Sequence, residues 1–308
     1  MTPPRLFVVD YQFLACGDVF TDGLAHAAQE LGLTYAHAEA RNPQLEALVR
    51  RFAPDLLLVV HGRIATPKLA KILPTVPSGI WLLDEPYEVD DTSRNSRHYG
   101  HAFVCDPVTL HRHERSSYLP VCYDPQVHMP GAGDRPYAVG FIGGGNSTRD
   151  RYLAALAWAG HLSYVIGGAW QSSAVNRLTV SRNVAPAETA ARYQQTRIVL
   201  NVFREKHHYN VQHVPATSLN PRVYEAFACG ALVASEWRPE ADTLLPEMPT
   251  FRSVTECVDL VADLLAHPDR AEAIRVACAE RIRPHTYRAR LQTVLEVCDV
   301  ATPLEAAS

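Results

Sequence analysis

The sequence predicts an α/β protein made of two doubly wound, Rossmann-like domains that face each other across a cleft. Three observations support this prediction. Short β-rich runs alternate with helical stretches in the first half, the alternation stops in a Pro- and Gly-rich stretch at 120–136, and it resumes from Tyr137. Such alternation is typical of parallel sheets covered by helices, and a Pro- and Gly-rich stretch is typical of a domain boundary. We therefore expect domains at 1–128 and 129–286, followed by a C-terminal helix at 287–308.

In the first half, each predicted strand is a short apolar run, and the helices between them carry apolar residues on one face. Residues 56–60 are apolar throughout, as expected for a strand that is buried on both faces of a parallel sheet. Strands are predicted at 6–9, 33–38, 56–60, 79–83 and 102–105, and helices at 20–31, 43–52 and 66–73.

The second half repeats the rhythm with clearer helix signals. Ser147 and Thr148 are predicted to cap a helix, and Gly230 is predicted to end one in the left-handed conformation. Strands are predicted at 137–142, 162–166, 198–203 and 231–235, and further helices at 187–196, 221–229, 254–266, 270–282 and 287–298.

Composition excludes several classes of protein. Hydrophobic residues make up 47% and charged residues 20%, which is typical of globular proteins, and the net charge of -4 disfavours a strongly basic DNA-binding protein. No apolar run approaches the ~18 residues of a membrane span, and no secretory signal is expected. Seven scattered cysteines without a CxxC pair argue against disulfides and structural zinc, and favour a cytoplasmic protein.

A glycine run follows the predicted strand at 137–142. Gly143, Gly144 and Gly145 would let the backbone approach an anion closely, beside the free N–H groups of the next helix. A turn that binds nothing is an equally good interpretation. The run does not match the dinucleotide fingerprint, because no further glycine follows at the offset that the fingerprint requires. It does not match a P-loop either, because the Gly-Lys-Ser/Thr sequence is absent.

A polar pair opens the predicted helix at 221–229. Arg222 and Glu225 are three residues apart, so they share one helix face just after Asn220. A carboxylate can accept the two hydroxyls of a ribose, and a guanidinium can bind a phosphate in a forked geometry. A surface ion pair is the alternative, which the apolar flanking positions disfavour.

These residues carry a resemblance to a known family. The segment from Asn220 to Leu232 resembles the donor-binding segment of GT-B glycosyltransferases of the CgeB-like group. Further matches lie in the same order as in that group. They are loose at 81–86 and 119–125 and stronger at Gly140–Gly143 with Arg149 and Arg151, Val199–Asn201, and His285–Arg290.

The resemblance implies a GT-B fold, a nucleoside diphosphate-sugar donor held by the C-terminal domain, and an acceptor approached from the N-terminal domain. It implies transfer without a metal or other cofactor, and a last helix that returns toward the N-terminal domain. Glu225 matches the family position that holds the donor ribose. Related retaining enzymes carry a second glutamate eight residues earlier, where this chain has Thr217, so the donor sugar and the stereochemistry stay open.

Two further groups are candidates for catalysis. Arg204 and Lys206 belong to a basic run before the motif and could stabilise the charge that develops on a leaving diphosphate, although a solvated basic face is the alternative. Asp84 follows the predicted strand at 79–83, where it could orient an acceptor hydroxyl or act as a general base. A turn-forming role explains Asp84 equally well. The fourteen histidines lack carboxylate partners at ligand spacing, so we predict no metal site.

The function we expect is a metal-independent hexosyl- or pentosyltransferase that uses a UDP-, GDP- or TDP-linked sugar. A sugar-nucleotide epimerase or hydrolase and a non-catalytic nucleotide-sugar-binding protein are the alternatives. The acceptor stays open among protein, glycan, small molecule and modified DNA base. A nucleic-acid acceptor is the less favoured of these, because acidic residues outnumber basic ones before residue 130.

Overall fold

The computed structural model describes residues 2–10, 17–204 and 209–301. Contacts divide the chain into two compact units. The first consists of Met1–Cys122, His207–Ser218 and Thr286–Ser308, and the second of Tyr123–Lys206 and Leu219–His285.

The first unit is built on a six-stranded parallel sheet in the order β2-β1-β3-β4-β5-β6. Its strands are β1 Arg5–Asp10, β2 Thr34–Glu39, β3 Leu56–Val60, β4 Ser78–Leu82, β5 His101–Val104 and β6 Ser116–Tyr118. Every residue of β3 and β4 is buried, as expected for central strands that are covered on both faces.

Helices cover both faces of this sheet. They are α1 Gly17–Glu30, α2 Leu45–Phe52, α3 Ala65–Leu69, α4 Val89–Ser96 and the C-terminal α12 Tyr287–Val297, with 3₁₀ helices at Leu73–Thr75 and Pro107–Arg112. Leu24 of α1 and Leu291 of α12 belong to one core with the sheet residue Leu58. Leu45 and Leu69 belong to a second core on the other face.

The second unit contains another six-stranded parallel sheet, in the order β12-β11-β10-β7-β8-β9. Its strands are β7 Tyr137–Ile142, β8 Leu162–Ile166, β9 Thr179–Ser181, β10 Thr196–Asn201, β11 Leu232–Glu236 and β12 Thr250–Phe251. Its helices are α5 Ser147–Trp158, α6 Ser173–Leu178, α7 Pro186–Gln194, α8 Pro221–Ala228, α9 Pro239–Leu244, α10 Val254–Ala266 and α11 Pro268–Ile282.

The predicted α/β class is confirmed, and all nine predicted strands occur. The sequence patterns missed β6, β9 and β12, which are only two or three residues long, the polar helix α4, and the six-residue helices α6 and α9. One predicted cap was wrong, because Asn146 caps α5 by accepting a hydrogen bond from the N–H of Arg149, whereas Ser147 is already the first helical residue. Gly230 does adopt the left-handed conformation after α8, with φ of 84°.

Apolar helices of membrane-spanning length do not occur in the described part of the chain.

Candidate functional site

The second sheet reverses its winding between β7 and β10. Strands β8 and β9 lie on one side of β7, whereas β10 and β11 lie on the other. At such a reversal the loops after the two central strands diverge, and ligands of doubly wound folds bind there, outside the carboxyl ends of the strands. The predicted donor residues all follow β7 or β10 in the chain.

Arg222, on the first turn of α8, joins the ends of these two strands. Its Nε and Nη2 donate hydrogen bonds to the carbonyl oxygen of Ile142 at 3.0 and 2.6 Å, and Nη1 donates to Oδ1 of Asn201 at 2.6 Å. The guanidinium also lies 5.0 Å from the ring centre of Phe141. Arg222 is therefore fixed at the reversal point by the protein itself, and only its remaining N–H groups are open to a ligand.

Asn201, the last residue of β10, connects the motif residues. Its Oδ1 accepts hydrogen bonds from Arg222 and, at 2.9 Å, from Nδ2 of Asn220, while its own Nδ2 donates to Ser235 at 2.9 Å. Oδ1 of Asn220 is buried without a donor among the described residues. The side chains of Asn220 and Arg222 are thus brought together by the buried amide of Asn201.

The glycine loop after β7 packs against the loop after β8. The N–H groups of Gly143 and Gly145 donate to the carbonyl oxygens of Ile166 and Gly168, at 2.9 and 2.7 Å. Both amides are therefore used within the protein. Gly144 is exposed, and a Cβ atom there would meet nothing within 4 Å, so of the three glycines it offers the most room to a ligand.

Arg149 ties this loop to the end of β10. Its Nη1 donates to the carbonyl of Gly144 at 2.8 Å, and its Nε donates to the carbonyl of Val202 at 2.9 Å. Arg149 and Arg222 together place two cationic groups at the reversal point, one on each helix that starts there. This arrangement can attract a diphosphate.

Glu225 lies one turn after Arg222 and is half-buried. Among the described residues, no group donates a hydrogen bond to its carboxylate. Its negative charge adds to the effect of burial in raising the pKa of the Tyr193 hydroxyl and of the Cys229 thiol. A half-buried carboxylate with open acceptor positions can bind two hydroxyl groups.

Arg204 lies three residues beyond the end of β10 and is half-buried, which places it after the same strand as the Asn201 network. Lys206, the other predicted catalytic cation, lies outside the described residues.

In the first unit, Asp84 follows β4 and belongs to a polar cluster at the carboxyl edge of the sheet. His61, which follows β3, is bonded through Nε2 to the carboxylate of Glu88, and both side chains are buried. Burial lowers the pKa of His61, but the hydrogen bond and the charge of Glu88 outweigh it, so the pKa is raised; Asp84 adds to this rise. Arg63 donates to Glu88 at 3.1 Å and to Asp91 at 2.8 Å.

A second buried pair lies beside the first. Glu85 accepts a hydrogen bond from the hydroxyl of Thr92, and its carboxylate lies 3.6 Å from Nε2 of His113. Nδ1 of His113 pairs with the hydroxyl of Ser96 at 2.9 Å. Glu85 and Glu88, which follow β4 together with Asp84, therefore have histidine partners. Sequence spacing could not reveal these pairs, because His61 follows β3 and His113 lies between β5 and β6.

The segment 209–218, between β10 and α8 in the chain, is held by the first unit. Asp90 accepts a hydrogen bond from the N–H of Val211 at 2.7 Å and pairs with Arg112 at 3.2 Å. The ring of Tyr209 covers the guanidinium of Arg63 at 4.1 Å. We call residues 209–218 the strap.

The far end of the strap is bound by Asp106, a completely buried carboxylate after β5. Asp106 accepts hydrogen bonds from the N–H groups of Thr217 and Ser218, at 2.6 and 3.0 Å, and from the Thr217 hydroxyl. Thr217, eight residues before Glu225, is therefore bonded to Asp106 through both its N–H and its hydroxyl.

Four residues of the site were not predicted as site residues: Asp106 and His61, and also Asn201 and Arg149, which were named only as positions of the family resemblance. A usable signal was present for three of them, because Asn201, Asp106 and His61 are polar residues that end or directly follow apolar strand runs. The same reasoning had been applied only to Asp84. Arg149 carries no such signal, since an arginine in a first helical turn is common on protein surfaces.

No group of three or more histidine, cysteine, aspartate or glutamate side chains within residues 2–10, 17–204 and 209–301 could hold a metal ion. Metal-independent catalysis stays a prediction.

Residues 149–296, just under half of the chain, match the family model for glycosyl transferase-like proteins. The matched region contains Arg149, Asn201, Arg222 and Glu225. No curated protein matches the sequence.

Solved structures show where this fold occurs. A glycosyltransferase from Rickettsia africae ESF-5 superposes with a TM-score of 0.65 at 10% identity, covering 97% of this chain and 98% of that chain. An alpha-glucosyltransferase in complex with UDP and a 13-mer DNA gives 0.67 at 12% identity, covering 97% and 100%. UDP-GlcNAc 2-epimerase from Neisseria meningitidis, bound to UDP-GlcNAc, gives 0.57 at 10% identity, covering 95% and 99%. The chain therefore has the α/β fold of GT-B glycosyltransferases.

Proposed function

We propose that this protein is a glycosyltransferase that moves a sugar from a nucleoside diphosphate-sugar to an acceptor hydroxyl or amine. The observation that carries the proposal is that Arg222 and Glu225 lie one turn apart on α8, the helix that starts at the reversal point of the second sheet. Arg222 is fixed by Ile142 and Asn201, whereas the carboxylate of Glu225 has open acceptor positions. The glycosyl transferase-like match over residues 149–296 supports the same conclusion.

In this proposal different residues bind the ribose and the diphosphate of the donor. Glu225 accepts hydrogen bonds from the ribose hydroxyls, and Arg222 and Asn220 lie beside the diphosphate with the loop Gly143–Gly145. Arg204 and Lys206 stabilise the negative charge that develops as the nucleoside diphosphate leaves, which lowers the barrier to transfer.

Asp84 is the proposed acceptor-side residue. It lies at the carboxyl edge of the first sheet and influences His61 electrostatically. A carboxylate in this position can orient an acceptor group and take up its proton during transfer.

We further propose a CgeB-like enzyme that acts in the cytoplasm without a metal, with a hexose or pentose on a UDP, GDP or TDP carrier. Three similar structures are alpha-glucosyltransferase complexes that contain UDP or UDP-glucose and DNA. A modified DNA base is therefore one acceptor to test, beside protein, glycan and small molecules.

The function is tested by incubating the protein with UDP-glucose, GDP-mannose and TDP-glucose, each with cell extract, glycan mixtures or duplex DNA, and analysing the products by mass spectrometry. We expect one donor to lose its sugar to an acceptor, and Asp84→Asn to slow this transfer more than it weakens donor binding. Donor binding without any turnover would instead favour a nucleotide-sugar-binding protein.

An epimerase or hydrolase is the second candidate, because UDP-GlcNAc 2-epimerases share this fold and Thr217 replaces the second glutamate of related retaining transferases. The same assay separates the two functions. An epimerised or free sugar formed without an acceptor would replace the transferase proposal.

A further inference from the structure

A cavity of about 310 Å³ opens in the second unit, at the opposite edge of the sheet from the glycine loop. Ile198, near the start of β10, and Leu232, the first residue of β11, line it. The proposed donor residues follow the carboxyl ends of these strands, whereas this cavity lies at their amino ends. It is therefore separate from the proposed donor site.

The floor of this cavity is apolar and its rim is charged. Leu264 and Leu265, from the end of α10, continue the floor that Ile198 and Leu232 begin. The charged lining residues are three arginines and two acids, namely Arg135, Arg197, Arg275, Asp269 and Glu272, and Pro268 and Ala271 complete the lining.

The charges on the rim do not cancel. Arg275 binds the carboxylate of Glu272 through two hydrogen bonds, from Nε at 2.7 Å and from Nη2 at 2.5 Å, so this pair is neutral. Arg135 and Arg197 remain, opposed only by Asp269 among the residues that line the cavity. The rim therefore carries an excess positive charge beside an apolar floor.

Arg135 is the more buried of the two remaining cations, since its side chain is half-buried and that of Arg197 is exposed. Burial, together with repulsion from Arg275, lowers its pKa, and the attraction of Glu272 offsets only part of this effect. Within the described residues, no group accepts a hydrogen bond from its guanidinium. An anion in the cavity would supply the missing acceptor, in the bidentate geometry that a guanidinium favours.

We propose that this cavity binds a small organic anion that has an apolar body and a phosphate or carboxylate group. The apolar body lies on the floor formed by Ile198, Leu232 and Leu264, and the anionic group lies between Arg135 and Arg197. A volume of this size holds a molecule of about the size of an aryl phosphate. The inference does not depend on the proposed transferase activity.

The probes are 4-nitrophenyl phosphate and 4-nitrobenzoate, titrated into the full-length protein by calorimetry, with neutral 4-nitrobenzyl alcohol as the comparison. We expect saturable binding of one or both anions and none of the alcohol. The anion that binds more tightly identifies phosphate or carboxylate as the preferred group. Arg135→Gln and Arg197→Gln should each weaken the affinity about tenfold, since each removes one charged hydrogen-bond donor.

Two controls separate this site from others. Arg270→Gln, which removes an exposed arginine paired with Asp263, should leave the affinity unchanged. Saturating the protein with UDP should also leave it unchanged. Three results would each overturn the proposal. They are the absence of saturable anion binding, unaltered affinity in both cavity variants with unchanged melting temperatures, and displacement of the anion by UDP. If UDP, GDP and TDP all fail to bind, the proposed function fails but the anion titration still decides this inference.

Discussion

Asp106 is completely buried, yet its carboxylate has four hydrogen-bond donors: the N–H groups of Val108, Thr217 and Ser218 and the hydroxyl of Thr217. A buried carboxylate is costly unless its charge is stabilised in this way. Two of the three amides belong to the strap. A single side chain after β5 thus fixes the end of the segment that leads into the donor motif at Asn220.

Asp106→Ala should release the end of the strap. The substitution leaves the buried N–H groups of Thr217 and Ser218 without an acceptor, which we expect to cost roughly 2–4 kcal/mol of stability. Hydrogen exchange followed by mass spectrometry measures the result directly, as faster exchange in a peptide that covers 215–220. In Asp106→Asn, which keeps one acceptor oxygen, this peptide should exchange faster than in the wild type and more slowly than in Asp106→Ala. Equal protection in the alanine variant would refute the anchoring role of Asp106.

His61 provides a test that depends on pH. Its pKa is raised above the ordinary value of 6.5 by Glu88, so the protonated form is stabilised in the folded protein. The stabilisation is therefore complete below pH 6.5 and is lost as the pH rises through the raised value. We choose asparagine as the replacement for His61 because it tolerates the left-handed backbone of this residue, where φ is 67°.

We expect His61→Asn to lower the melting temperature more at pH 5.5 than at pH 8.5. Glu88→Gln removes the charge that raises the pKa of His61. When His61→Asn is made in the Glu88→Gln variant, the further loss of melting temperature should therefore be the same at both pH values. If His61→Asn lowers the melting temperature equally at both pH values, or more at pH 8.5, Glu88 does not stabilise a protonated His61.

At the scale of elements, two loops of the second unit approach each other through their backbones. Gly167, after β8, has a φ of 131°, and a Cβ atom there would overlap the carbonyl of Gly143. A Cβ atom on Gly145 would likewise overlap the carbonyl of Gly168. The glycines thus serve the packing of one loop on the other, in addition to any contact with a ligand.

Gly145→Ala and Gly144→Ala form a matched pair of variants. The first should destabilise the protein by roughly 2 kcal/mol or more, because backbone atoms of Gly168 and Ala169 must move. The second should change the stability by less than about 0.5 kcal/mol, because the space around it is open. Urea denaturation compares them, and equal midpoints would contradict the loop packing described here.

The elements that the sequence predicted well are those with strong periodic or apolar signals. Strands β3, β7 and β8 occur at the predicted residues, and α10 spans 254–266 as expected. The short edge strands lack such a signal, because a run of two or three residues cannot establish a period of two. The strap was missed for a different reason, since its structure depends on Asp90 and Asp106, more than a hundred residues earlier in the chain.

For the molecule as a whole, the sequence predicted the fold class and the order of the motifs along the chain. It did not predict which contacts each motif residue makes. Arg222 was expected to point toward a ligand, whereas most of its donors bind Ile142 and Asn201. The carboxylate of Glu225 has no donor among the described residues, and its role in binding the ribose stays a prediction. These differences arise from loop conformation, which local sequence does not encode.

The central claim is that the second unit binds a nucleoside diphosphate through Glu225. Titration calorimetry of UDP and UDP-glucose with the wild-type protein, Glu225→Gln and the exposed control Glu188→Gln tests it most directly. We expect saturable binding in the wild type and wild-type affinity in the control. Binding should be at least tenfold weaker in Glu225→Gln, because one carboxylate accepts two hydroxyls. UDP, GDP and TDP compounds that all fail to bind, or a Glu225→Gln variant with wild-type affinity, would contradict it.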